Sequence, residues 1–155
     1  MQDQSNTSYT GIDELIILES MKNYNNAIVN DSIKYSKASK SVIDFGAGIG
    51  TLSIILRRKI HINPICIEID DVNIKFIRKR KFKVLKDIQK VIEPVDLVFS
   101  SNVLEHIKDD RKILKILREK LNKDGTLFLY LPAKMILWTK LDEIVGHYRR
   151  YEIET

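Results

Sequence analysis

The stretch Val42-Ile43-Asp44-Phe45-Gly46-Ala47-Gly48-Ile49-Gly50-Thr51 decides the fold of this 155-residue chain. Residues 41–45 predict a buried strand, and a helix is expected to begin near Thr51. Three glycines at alternate positions leave the turn without side chains, so a ligand can lie against bare backbone. The free N–H groups of the helix's first turn point at the same place. The stretch therefore predicts a nucleotide-type site at the carboxyl end of a parallel strand.

The spacing of the glycines indicates which nucleotide is bound. A dinucleotide-binding turn has the pattern GxGxxG, whereas here an acid precedes alternate glycines, as Asp-x-Gly-x-Gly-x-Gly. This pattern resembles motif I of the class I S-adenosylmethionine-dependent methyltransferases. The resemblance implies an α/β fold, a Rossmann-like, doubly wound and mainly parallel sheet with strand order 3-2-1-4-5. It also implies S-adenosylmethionine as cofactor and S-adenosylhomocysteine as product. A purely structural glycine turn is the alternative.

Later segments carry the same resemblance. Residues 65–69 predict a second strand with an acid at its end, and residues 95–100 predict a fourth. The following Ser101-Asn102-Val103-Leu104-Glu105-His106-Ile107 resembles the family's motif IV, a strand running into "vLEH". "LNKDGTLFLYLP" resembles the segment "lkpGGxlxlxvP", and "LDEIVGHYRRYE" matches a "D…GHxRRY" signature.

The resemblance implies cofactor contacts at the strand ends. Glu68 is expected to accept the ribose hydroxyls, with Asp70 as the runner-up or as a helix cap. Asp87 and the N–H of Ile88 are expected at the adenine ring, and a turn role for Asp87 is the alternative. The predicted cofactor contacts are Asp44, Gly46, Ala47, Gly48, Gly50, Glu68, Ile69, Asp87, Ile88, Ser100, Ser101 and Asn102.

Two histidines are the candidates for catalysis. His106 and His147 could act as general bases, because an imidazole titrates near neutral pH; packing or loop orientation is the alternative. Tyr148, Arg149, Arg150 and Tyr151 are expected on the substrate side, where two arginines could grip a carboxylate or phosphate. An exposed basic loop is the alternative there. No metal is expected.

The composition of the chain limits the classes of partner that it can bind. The net charge is +5, with much of the excess between Arg57 and Lys90. A nucleic-acid face is the weaker interpretation, and a solvated helix face in a lysine-rich chain is the favoured one. The expected acceptor is a small molecule, a saccharide or a lipid-linked compound. No run reaches the roughly 20 apolar residues of a membrane span, and Cys66 is the only cysteine. A cytoplasmic location is expected.

The chain is expected to be a single domain. Residues 1–40 predict a helical preface that Asn23–Asn26 could interrupt, residues 41–131 a cofactor-binding core, and residues 132–155 an incomplete substrate-side segment. A third strand is expected at residues 82–86, and a helix from Asp109 to a turn at Asn122–Gly125, with a fifth strand after it. The family's last two strands are missing, which predicts a truncated chain whose open edge a second copy could cover.

Two rival functions remain open. One is a nicotinamide-dependent oxidoreductase, since Glu68 would suit the ribose of either cofactor. The other is a catalytically inactive, methyltransferase-like binding subunit, which the missing strands suggest. The leading expectation is an S-adenosylmethionine-dependent methyltransferase.

Overall fold

The computed structural model describes residues 12–36 and 39–153. The strands are β1 (Val42–Phe45), β2 (Ile65–Ile67), β3 (Val84–Leu85), β4 (Val95–Ser101) and β5 (Leu121–Tyr130). The helices are α1 (Ile12–Ser20), α2 (Lys22–Ser36), α3 (Thr51–Ile60), α4 (Asp71–Lys79), α5 (Asp110–Glu119) and α6 (Lys140–Ile144). Short 3-10 turns lie at Ile88–Lys90, Leu104–His106 and Met135–Leu137. Residues 1–11 of the expected helical preface lie outside the described residues.

The five strands form one parallel sheet in the order β3-β2-β1-β4-β5. The predicted fold class and strand order are confirmed. At the centre, Ile43 of β1 lies opposite Ile65 of β2 on one side and Val98 of β4 on the other. The direction of strand succession reverses between β1 and β4. In a doubly wound sheet, ligands bind outside the carboxyl ends of the strands at this switch point.

Helices cover both faces of the sheet because successive strand residues point to opposite sides. Val98 packs in a cluster with Ile43 and with Leu117 of α5. Its neighbours Leu97 and Phe99 pack on the opposite face, against residues of α2 and α3. All four residues of β1 are buried, as expected for the central strand of a sheet covered on both sides.

The connection between α5 and β5 differs from the prediction. The helix ends at Glu119, and β5 already begins at Leu121, so the expected turn at Asn122–Gly125 is wrong. Val95 lies opposite Leu121 but Leu97 opposite Thr126, so the intervening residues form a bulge in the strand. A Cβ on Gly125 would lie 3.0 Å from the carbonyl oxygen of Val95. The glycine is needed for this close approach and not for ending a helix.

Two other boundaries also differ. The first helical region is interrupted at Met21, not at Asn23–Asn26. Asn25 is buried and donates its side-chain N–H to the carbonyl of Leu18 (2.7 Å), which ties α2 to α1. The third strand is shorter than expected because Phe82 leaves the sheet to pack against Ile77. None of the helices in the described ranges combines the length and apolar character needed to cross a bilayer.

Candidate functional site

The glycine turn between β1 and α3 adopts a conformation that favours glycine. Gly46, Gly48 and Gly50 have φ angles of +74°, +54° and +83°, in the left-handed region that other residues rarely adopt. The amides of Gly46 and Ala47 both donate to the carbonyl of Ile67 in β2, at 2.9 and 3.1 Å. The turn is therefore folded back over the end of the neighbouring strand.

Glu68 fastens this turn from the end of β2. One carboxylate oxygen accepts the amide of Gly48 at 2.7 Å, and the other accepts the amides of Ile69 and Asp70 at 2.8 and 2.9 Å. The residue is only 8% exposed. Three backbone donors offset the cost of burying this carboxylate. Its expected contact with a ribose remains a prediction, since a carboxylate oxygen can accept a further hydrogen bond.

Asp44 lies beneath the turn, away from any open space. Its carboxyl group is buried and accepts the hydroxyl of Ser53 at 2.6 Å. Burial raises the pKa of Asp44 to about 7, with Ser53 opposing the shift and the nearby charge of Glu68 adding to it. The side chain thus supports the loop from below.

A cavity of about 580 Å³ opens at the carboxyl ends of β1 and β4. This volume lies within the range typical of small-molecule sites. The glycine turn forms one side, α1 with Leu15 and Leu18 forms a second, and Tyr24 of α2 lies between them. The predicted site residues in its wall are Gly46, Ala47, Gly48, Ser101, Asn102, His106, His147 and Arg150. These side chains and backbone groups come from distant parts of the chain.

Other predicted residues lie outside the cavity wall. They are Asp44, Gly50, Glu68, Ile69, Asp87, Ile88, Ser100, Tyr148, Arg149 and Tyr151. The carboxylate of Asp87 accepts the amide of Gln89 at 2.8 Å, the turn role given as its alternative. Asp70 caps α4 through the amides of Val72 and Asn73. The adenine and ribose contacts predicted for these acids remain predictions.

The chain turns sharply after β4 and approaches the glycine turn. Asn102 has a φ of +52°, a conformation that asparagine tolerates better than most residues. Its side-chain nitrogen lies 3.4 Å from the hydroxyl of Tyr24. A Cβ on Gly46 would lie 2.3 Å from a methyl carbon of Val103. Any side chain at position 46 would therefore displace the segment that carries residues 103–106.

A carboxylate and two imidazoles meet at the far end of the cavity. Glu105 is fully buried, and neither of its carboxylate oxygens has a hydrogen-bond partner among residues 12–36 and 39–153. Its Oε1 lies 4.0 Å from Nε2 of His147. The rings of His106 and His147 meet edge to face, with centroids 4.6 Å apart. Burial raises the pKa of Glu105, and burial together with the charge of His147 lowers the pKa of His106.

Asp142 organises the segment that brings His147 to this cluster. Its carboxylate accepts two hydrogen bonds from Arg150 and one from Nδ1 of His147, all at 2.9 Å. It also closes a capping box with Thr139 at the start of α6. The pairing with Arg150 is the main cause that holds the pKa of Asp142 well below its ordinary value. His147 is thereby fixed in one orientation.

The two arginines are engaged inside the protein. Besides the bond of Arg150 to Asp142, Arg149 pairs with Asp110 at 2.9 Å and donates to the carbonyls of Ile107 and Lys108. The hydroxyl of Tyr151 also contacts Asp110, at 3.1 Å. The expected grip of these arginines on an acceptor's carboxylate or phosphate remains a prediction. The guanidinium groups lock the last segment onto the turn that follows β4.

Two acids at the site were not identified from the sequence. Glu105 stands within the "LEH" motif and Asp142 within "LDE", yet no local pattern indicates that the first is buried without a partner. The individual residues of α1 at the cavity were not identified either. Their partners lie far along the chain, so only the fold reveals them.

Comparison with known proteins places the chain among methyltransferases by sequence. A family model described as "Methyltransferase domain" matches residues 17–152. No curated protein matches the chain. Among solved structures, the chain is similar to a SAM-dependent methyltransferase from Archaeoglobus fulgidus, with a TM-score of 0.67 and 23% identity, covering 82% of this chain and 61% of that one.

Two further structures show the same fold. Streptomyces venezuelae DesVI has a TM-score of 0.69 and 15% identity, covering 83% of this chain and 59% of that one. Coclaurine N-methyltransferase bound to N-methylheliamine and SAH has a TM-score of 0.60 and 22% identity, covering 71% of this chain and 37% of that one. The chain spans less than two thirds of each of these structures. Since the family model matches most of its length, the chain belongs to the methyltransferase-domain family.

Proposed function

We propose that this chain is an S-adenosylmethionine-dependent methyltransferase acting on a small-molecule, saccharide or lipid-linked acceptor. The observation that carries the proposal is the cavity itself, which extends from the glycine turn at one end to His106 and His147 at the other. It has room for a cofactor, with titratable groups beside it. Membership of the methyltransferase-domain family supports the same reaction.

The residues of the cavity suit this cofactor. The turn at Gly46–Gly48 offers backbone without side chains, and Leu15 and Leu18 of α1 offer an apolar cover. Ser101 and Asn102 supply hydrogen-bonding groups at the end of β4. When bound, S-adenosylmethionine supplies an activated methyl group on a sulfonium. The protein's own task is then to orient the two reactants and exclude water.

The histidines are placed to handle the acceptor. Nδ1 of His147 donates a hydrogen bond to the Asp142 carboxylate, so in the neutral ring Nε2 carries the lone pair that can take a proton from an acceptor hydroxyl or amine. His106 lies in the cavity wall beside it, and its lowered pKa keeps the ring neutral at neutral pH. In this proposal, one of the two rings orients the acceptor and the other receives its proton.

Titration calorimetry with S-adenosylhomocysteine tests the proposal. We expect micromolar binding by the wild-type protein and none by Gly48→Arg. A Cβ at position 48 would lie 3.3 Å from a methyl carbon of Leu15, and the φ of +54° is strained for arginine. The new side chain would therefore enter the space between the turn and α1. Ile92→Arg is the matched control, because Ile92 is 87% exposed.

A second pair of variants tests the support of the turn. Glu68→Gln should weaken binding about tenfold. The carboxylate accepts hydrogen bonds from backbone N–H groups, and the amide NH₂ of glutamine would face these donors without being able to accept from them. The exposed Glu93→Gln should bind like the wild type. A folded wild-type protein that binds NAD and not S-adenosylhomocysteine would contradict the proposal.

A further inference from the structure

We propose that Glu105, His106 and His147 form a binding site for a divalent first-row transition-metal ion at the acceptor end of the cavity. Each residue offers one ligand atom, and these atoms all lie within 4.8 Å of one another. From the sequence we expected no metal. The site arises only because the segment after α6 folds back onto the turn that follows β4, where the backbone N–H of Tyr148 donates to the carbonyl of Glu105.

Within the described ranges, the electron-pair donors of this cluster lack a cationic partner. The carboxylate of Glu105 is fully buried, and the described part of the chain offers neither oxygen a hydrogen-bond partner. The group that faces it, Nε2 of His147, presents a lone pair when the ring is neutral, because Nδ1 then carries the hydrogen that is donated to Asp142. Two electron-pair donors that face each other in a buried place repel, and a buried carboxylate without a partner is itself costly. A metal ion between the two groups would remove both the repulsion and the cost of the unpaired carboxylate.

No nearby guanidinium fills this role. Arg150, which also lines the cavity, is bonded to Asp142 through two of its nitrogens. Arg149 is bonded to Asp110 and to backbone carbonyls. The cations around the cluster are therefore committed to other carboxylates, and the Glu105 carboxylate remains available as a ligand.

The surroundings also resemble those of known metal ligands. Histidine ligands commonly donate their second N–H to a carboxylate, which fixes the ring and increases its basicity; Asp142 holds His147 in this way at 2.9 Å. Two imidazoles with one carboxylate suit zinc, iron, cobalt or nickel rather than magnesium. Ligand atoms around a tetrahedral zinc ion lie about 3.4 Å apart. Ligand atoms that lie up to 4.8 Å apart would have to approach one another by up to about 1.4 Å to reach that spacing.

The proposed ion would have a chemical role that rests on the proposed function. His106 lies in the cavity wall, so coordination positions left open by the three residues face the acceptor. A divalent ion there would orient an acceptor hydroxyl and lower its pKa, with the proton released to solvent. The two imidazoles would then serve as ligands, and the ion would replace them in activating the acceptor.

Metal titration of untagged, metal-free protein tests the site without any cofactor. We expect one equivalent of Zn²⁺ to bind at micromolar or lower Kd, and Co²⁺ to give the visible absorption of a site with nitrogen ligands. Glu105→Gln and His147→Ala should each raise the Kd at least tenfold. His61→Ala is the matched control, because His61 is the chain's third histidine and lies at the exposed end of α3.

The outcomes separate this proposal from the previous one. Absence of Zn²⁺ binding by the folded wild-type protein would overturn it, as would binding that His61→Ala weakens and Glu105→Gln does not. Circular dichroism establishes whether each variant is folded. If His147→Ala does not fold, the isosteric Glu105→Gln still tests the site. S-adenosylhomocysteine titrated into the same metal-free protein tests the cofactor site independently, so either proposal can fail alone.

Discussion

At the scale of single residues, buried acids define the chemistry of this molecule. Asp44 and Glu105 both lie inside the protein, and burial raises the pKa of each. Asp142 is equally buried, yet Arg150 lowers its pKa. The difference between these acids is the presence of a cationic partner, since an ion pair offsets the desolvation that burial imposes.

Asp44 should make the free energy of unfolding depend on pH. Its pKa is about 7 in the folded protein, above the ordinary value, so the folded state keeps the proton up to a higher pH than the unfolded state does. The associated stability is complete below about pH 4 and is lost as the pH rises to about 7, by an amount on the order of 4 kcal/mol. Denaturant unfolding of wild-type protein and Asp44→Asn at pH 5 and pH 8 measures the part of this loss above pH 5, on the order of 3 kcal/mol.

The asparagine variant should lose much less stability over that interval. Burial of Glu105 acts in the same direction, so a smaller dependence on pH should persist in Asp44→Asn. Asp31→Asn, on the exposed side of α2, serves as the control and should behave like the wild type. If the free energy of unfolding depended on pH equally in wild-type protein and Asp44→Asn, Asp44 would be ionised in the folded state, and the prediction would be wrong.

Residues whose roles are local could be predicted from the sequence, and those with distant partners could not. The conformation required of Gly46, Gly48 and Gly50 follows from their spacing. By contrast, Glu105 meets His147 only because two separate turns converge. The contact between Asn102 and Tyr24 joins residues 78 positions apart. No periodicity or local motif encodes such pairs, since they depend on how the whole chain packs.

At the scale of elements, α1 is the cover of the cavity. It has no buried residue of its own, so its position depends on polar attachments more than on a core. Glu19 pairs with Arg80 at the end of α4 at 2.7 Å and lies 3.4 Å from the hydroxyl of Thr51 at the start of α3. One acid thus links three helices.

Glu19→Gln should loosen α1 without unfolding the sheet. A partly exposed ion pair contributes up to about 1 kcal/mol, so amide hydrogen exchange in α1 should become about fivefold faster. Asp13→Asn on the exposed surface of the same helix is the control. Exchange unchanged by Glu19→Gln would show that apolar contacts alone hold the cover.

Element boundaries illustrate a limit of sequence patterns. The glycine at position 125 suggested the end of a helix, a common role for glycine. The structure uses it for close approach to the carbonyl of Val95 within a bulge. A local sequence cannot distinguish these uses, because the second depends on a strand that is adjacent only in the folded sheet.

At the scale of the whole molecule, the cavity joins parts of the chain that the sheet alone does not connect. The glycine turn follows β1, Asn102 follows β4, and α1 covers both. The strand order that creates this meeting point could be predicted, because it follows from the family resemblance and from right-handed crossovers. Association of two copies through the edge strand β5 stays a prediction.

A ligand that bridges these parts should raise the melting temperature of the whole domain. At one hundred times its Kd, S-adenosylhomocysteine would add about 2.7 kcal/mol to stability. For a domain of this size, that corresponds to roughly 5–10 °C. Differential scanning fluorimetry measures the shift, and Gly48→Arg should show none. A wild-type protein whose melting temperature is unchanged at saturating ligand would contradict the bridging role.

The bonding of Asp142 has a consequence for protein engineering. Its carboxylate accepts hydrogen bonds from Thr139, His147 and Arg150, so the segment from 139 to 150 is held together by hydrogen bonds of its own. The segment is attached to the rest of the chain by few polar contacts, chiefly through Tyr148 and Arg149. Under the proposed function, exchanging this segment for that of a related enzyme should change acceptor preference and leave cofactor binding unchanged.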